Sequence, residues 1–106
     1  MELTYDLPSM RKIAGDRNSA RKKLGDELAD AFLSLIADMR NAMYLGELLE
    51  SPTVIGGSPL LLQYPLASGC ILEIQPLANG LVDQESWSTT HRIKLVRIVK
   101  EGAKLI

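Results

Sequence analysis

The spacing of apolar residues changes once along this chain, and that change limits the fold more than any other feature. From Leu24 onward, Leu28, Ala31, Phe32, Leu35, Met39 and Met43 recur every three or four residues, the period of an amphipathic helix with one buried face. Beyond residue 52 the period falls to two. Leu60, Leu62, Tyr64 and Leu66 alternate with Leu61, Gln63 and Pro65, and Cys70, Leu72 and Ile74 alternate with Ile71, Glu73 and Gln75. The two runs flank Ala67-Ser68-Gly69 and read as a hairpin. Helices first and strands afterwards predict an α+β fold in which an N-terminal helical pair packs on one face of a small, mainly antiparallel sheet. At 106 residues the chain has the length of one domain, 1–106, with one core.

Local signals refine this outline. Glu2 to Leu7 alternates as a short edge strand that Pro8 closes. Ser9 is placed to cap a helix through Ile13, Gly15-Asp16 breaks it, and Asp16 or Ser19 can cap the next. Gly25 interrupts the long helical pattern and marks a seam between two helices, while Gly46 and Ser51-Pro52 end the helical half. Pro59 and Pro65 cannot donate to a ladder, which predicts an edge or bulged strand there. Asn79-Gly80 opens a polar connection of about ten residues, after which His91 to Lys100 returns to a strand. Strict alternation puts Arg92, Lys94, Val96, Ile98 and Lys100 on one face and His91, Ile93, Leu95, Arg97 and Val99 on the other. Leu28, Phe32, Leu35 and Met39 are expected to pack on Leu72 and Ile74.

A net charge of −1 conceals strong segregation. Residues 1–24 carry +3, 25–50 carry −5, 51–90 carry −3 and 91–106 carry +4. Fields are screened within about 8–10 Å, so the local balance decides what each surface attracts. Two basic ends that meet would form a patch for RNA or an acidic peptide; two that do not are solvated segments.

Most chemistries are excluded by what the chain lacks. One His and one Cys cannot build a structural zinc site, and no cofactor-binding glycine fingerprint occurs; Gly56-Gly57-Ser58-Pro59 reads as a turn and fails the nucleophile-elbow spacing. Cys70 lies in an apolar run as a buried thiol, and as a lone cysteine it points to a reducing, cytoplasmic setting. Asp26, Glu27, Asp30 and Asp38 read as the solvated face of a helix. Prolines and glycines break the charge-free stretch 51–72, so no membrane span is expected. The remaining candidates are the cations of the last strand, Arg92, Lys94 and Lys100, for RNA or protein contact, and His91 with Arg92 as catalytic candidates.

The order of elements, together with Lys22-Lys23-Leu24-Gly25-Asp26-Glu27-Leu28-Ala29-Asp30, resembles the HigB-like plasmid maintenance killer branch of the RelE/ParE toxin superfamily. Asn41-Ala42-Met43-Tyr44-Leu45, Gly56-Gly57, Ile74-Gln75-Pro76 and the closing Arg92-Ile93-Lys94-Leu95-Val96-Arg97-Ile98-Val99 match further blocks of that branch in order. The resemblance implies a toxin of a bacterial type II toxin–antitoxin system, an mRNA interferase that cleaves mRNA at the ribosome and is bound by a cognate antitoxin, with no cofactor. Its catalytic cations do not carry over: the basic residue of the glycine turn falls on Ser58, the arginine of the following hairpin strand on Ile71, and the closing Asp-Tyr-His on Lys100-Glu101-Gly102. A scaffold without those groups would be a catalytically silent relative acting as a protein-binding module.

Overall fold

A computed structural model of the chain describes residues 1–78 and 82–106. Three helices and a mixed six-stranded sheet make up the described residues, in an α+β arrangement. Strand β1 is Glu2–Tyr5, helix α1 Pro8–Gly15, α2 Arg17–Leu24 and α3 Asp26–Asn41. Strands β2 Thr53–Ile55, β3 Leu61–Pro65, β4 Cys70–Leu77, β5 Arg92–Lys100 and β6 Ala103–Lys104 follow.

The helical layer is punctuated by its sequence. Helix α1 begins two residues earlier than Ser9 as a cap would have it: Leu7 is the N-cap without a side-chain bond, and Pro8 takes the first turn. Proline suits that position because its missing N–H has no helical partner there. Asp16 ends α1 and caps α2, accepting from the Asn18 amide at 3.1 Å and the Ser19 hydroxyl at 2.7 Å. Gly25, at φ +83°, is the seam between α2 and α3, a conformation that L side chains resist. Helix α3 buries Leu28, Ala29, Phe32, Leu35, Ile36 and Met39 and exposes Asp26, Glu27, Asp30 and Asp38. Met43 departs from the expected stripe: the helix stops at Asn41, and Met43 is 64% exposed.

The sheet runs β1-β5-β4-β3-β2, with β6 also on β5. β1 is parallel to β5 and sits at the edge, while the other pairs are antiparallel. The predicted hairpin is β3–β4, with Leu62 opposite Ile74 and Tyr64 opposite Leu72. β3 is not an edge strand, because β2, absent from the sequence reading, pairs with its Leu61–Gln63. Pro59 and Pro65 fall outside that register, so neither has to supply a ladder N–H to β2. Gly56-Gly57-Ser58-Pro59 is the turn between β2 and β3. Of the long connection before β5, Asn79 and Gly80 lie outside the described residues. Its later part forms a 3-10 turn, Trp87–Thr89, against a second one at Leu45–Glu47. A Cβ on Gly46 would stand 3.0 Å from Ser88.

Leu62, Tyr64, Leu72, Ile74, Ile93, Leu95 and Ile98 are fully buried and share one cluster with Met10, Phe32, Ile36 and Met39. Helices therefore cover one sheet face, and the other is left open. Phe32 is 0% exposed, so Phe32→Ala should cost about 3–5 kcal/mol, measurable by chemical denaturation. Hydrogen bonds from Ser19 and Asn18 hold the Asp16 carboxyl below its ordinary pKa of 3.8. A lowered folded-state pKa means stabilisation that is complete above the unfolded value and lost as pH falls through the folded one. Asp16→Ala should therefore lower Tm at neutral pH and flatten the loss of Tm below about pH 4.

Candidate nucleic-acid or protein interface on the open sheet face

The composition of the open face is decided by one residue. Leu95 pairs with Ile74 and Arg97 with Glu73, which leaves Val96 without an opposite number and shifts the register. A bulge of this kind reverses which parity of side chains faces the core. Before it, Ile93 and Leu95 are buried and Arg92 and Lys94 point to the open side; after it, Ile98 is buried and Arg97 and Val99 take the open side. The face predicted from strict alternation, with Arg92, Lys94 and Lys100 together, is thus corrected. Arg97 joins Arg92 and Lys94, and Lys100 goes to the helix side opposite the buried Cys70. Arg92 and Lys100 lie eight positions apart along β5, about 26 Å at the usual rise. Lys100 borders a different cleft, with Lys23, Asp26 and Glu27 at the α2–α3 seam.

Strict alternation would have lodged the Arg97 guanidinium in the core beside Ile93 and Leu95, at a cost of several kcal/mol. That impossibility, and the adjacent apolar pair Leu95-Val96, are the signals in the sequence that mark the bulge.

Arg97 and Lys94 each lie within ion-pair distance of a carboxylate. Arg97 forms an ion pair with Glu73, whose other oxygen accepts from the Gln63 amide at 3.1 Å. Lys94 lies 4.0 Å from Asp6, which follows β1, and Arg92 is in register with Glu2. Glu73 is only 8% exposed, yet the pair is not desolvated throughout, because the Arg97 side chain is 41% exposed. The rest of the face is apolar at one end, where Ile71 stands opposite both Pro65 and Val99.

The other candidate residues are dispersed. His91 is exposed just ahead of β5; its carbonyl accepts from the Glu2 amide at 3.0 Å, and its ring has no hydrogen bond or ion pair among the described residues. Ser58 is exposed in the β2–β3 turn, beside a cleft of about 360 Å³ lined by Gln75, Pro76, Leu77 and Val82, with no charged residue among the described lining. Tyr64 faces the core, not the site, and burial pushes its hydroxyl pKa up. The basic N-terminal residues lie on α1 and α2, so they do not merge with Arg92 and Lys94 into a single patch. Among the described residues no three His, Cys, Asp or Glu side chains are grouped to hold a metal ion, and no helix is long and apolar enough to cross a membrane.

Comparison with known proteins returned no matching family model, no curated protein and no solved structure.

The Glu73–Arg97 pair has unequal partners, and this sets an expectation. Arg97→Ala leaves a buried carboxylate with only Gln63, so it should cost about 1–3 kcal/mol, whereas Glu73→Gln leaves a cation that water can reach and should cost less. Equal losses in urea denaturation would show that the carboxylate is solvated as readily as the guanidinium.

Proposed function

We propose that this chain is the toxin-like component of a bacterial type II toxin–antitoxin system, with a RelE/ParE-like scaffold of the HigB-like killer branch, acting by protein contact in place of RNA cleavage. Support for the scaffold is confined to the order of elements, three helices where the sequence predicted a pair, followed by hairpin strands that leave one sheet face open. The observation that carries the loss of cleavage is the charge balance of that face. Phosphodiester cleavage needs a positioned acid or base and cations that meet charge developing on phosphate. Arg97 is tied to Glu73, Lys94 lies near Asp6 and Arg92 is in register with Glu2, while the two family cation positions hold uncharged Ser58 and Ile71. An RNA backbone laid across this face would meet carboxylates beside Arg97 and Lys94, with Glu2 on the neighbouring strand in register with Arg92, and counterion release would yield little affinity.

A protein partner suits such a face better. Mixed charge sets register and excludes wrong partners, and Ile71, Val99 and Pro65 add apolar contact at one end. The partner under this reading is a cognate antitoxin.

The purified chain should cleave mRNA on translating ribosomes at background rate, since losing an acid/base group and a transition-state donor removes about 10²–10⁴-fold and 10²–10³-fold respectively. Robust cleavage abolished by His91→Ala or Arg92→Ala would overturn the silent reading and place a site at the start of β5. Co-expression with the product of the adjacent reading frame should yield a stable complex, weakened by charge reversal at Arg92 and Lys94 and indifferent to Lys100→Glu.

A further inference from the structure

Six basic residues lie on α1 and α2, and half of them are engaged within the chain. Arg11 sits 5.3 Å above the Tyr5 ring, and Arg17 and Arg21 reach Asp30 at 3.4 and 3.6 Å. Lys12, Lys22 and Lys23 are exposed, and none has a carboxylate among the described residues within ion-pair distance. Asp16 is close enough to feel Lys12, but its oxygens are taken by Ser19 and Asn18.

These three lysines converge. All line one cleft of about 300 Å³ between the helices, with Ser9 and Ser19 beside them and the buried side chains of Ile13 and Ile106 as apolar lining. Like charges gathered at one cleft repel one another and focus a positive potential into it. The matching ligand is anionic and carries an apolar group for the two isoleucines. Nucleic acid fits less well, because the cleft has neither an aromatic ring for base stacking nor an arginine for forked phosphate contacts.

We propose that the α1–α2 cleft binds an acidic segment of a partner protein, with an apolar side chain against Ile13 and Ile106 and carboxylates on Lys12, Lys22 and Lys23. This site belongs to the helical layer and does not rest on the reading of the open sheet face; it would operate in an active toxin and in a silent scaffold alike.

The test is selection from a displayed library of random 12-residue peptides on the full chain, counter-selected on the triple variant Lys12→Glu, Lys22→Glu, Lys23→Glu. All three side chains are exposed, so the variant should fold, which circular dichroism checks. Enriched peptides should combine Asp or Glu with Leu, Ile, Val or Phe. Their affinity should fall at least about tenfold in the triple variant, the sum expected of three rim ion pairs, and less in the corresponding Lys→Gln triple. Replacing the apolar residue of a selected peptide by Ser should also weaken it. Enrichment of peptides without acidic residues, no enrichment, or equal affinity for the triple variant would overturn the proposal. Displacement of the selected peptide by a single-stranded oligoribonucleotide that binds the same lysines more tightly would assign the cleft to nucleic acid instead.

Discussion

Phe32, Leu72, Ile74 and Leu95 belong to one hydrophobic cluster and have no exposed surface, and covering one sheet face this way constrains everything on the other. Every buried inward side chain of β4 and β5 is apolar, because a charge taken out of water there costs several kcal/mol unless paired; Lys100, on the same side, escapes this by being exposed at the strand end. Side chains alternate along a strand, so the polar residues of the same strands are sent to the open side. The open surface is therefore what remains after the core has taken its share of the sequence.

Val96 alters that allotment partway along β5. Its insertion lets Ile98 return to the core although it is three residues, not two, beyond Leu95, and in the same step it places Arg97 over Glu73. The bulge thus reconciles an apolar pattern of broken parity with continuous burial. It also converts a cation that alternation would have buried into half of an ion pair on the open face, and removes Lys100 from that face. The face ends as a row of near-balanced charges, which suits recognition by a protein surface more than attraction of a polyanion.

The helical layer shows the opposite charge economy. Two of its arginines are spent on Asp30 of α3, joining α2 to the long helix, and pairs this exposed add little stability. The lysines left over gather at the α1–α2 cleft because the α1–α2 corner, set by Gly15 and the Asp16 cap, turns both helices' last basic residues toward the buried Ile106. Two surfaces with different electrostatics result, a balanced one on the sheet and a positive one on the helices.

The α+β class, the seam at Gly25, the Asp16 cap and the β3–β4 hairpin were legible in the sequence, because each depends on local chemistry: a period, a φ > 0 glycine, a side chain within three residues of its backbone partner. Burial of Phe32 and of Cys70 followed from the same periods. The site was legible only in part: Arg92 and Lys94 were rightly assigned to one face, while Arg97 and Lys100 were exchanged. Strand β2 was missed because Thr53–Ile55 is too short to show a period, and exists by pairing with β3. Which cations share a face, and which carboxylate neutralises each, was settled by strand register and by one bulge, and register is a property of two strands at once. Sequence by itself determined most of the buried set, with Met43 and Ile98 misplaced by strict periodicity; only the tertiary structure decided which charges those residues left side by side, since contacts between Asp6 and Lys94, or Glu73 and Arg97, join positions that no local period relates.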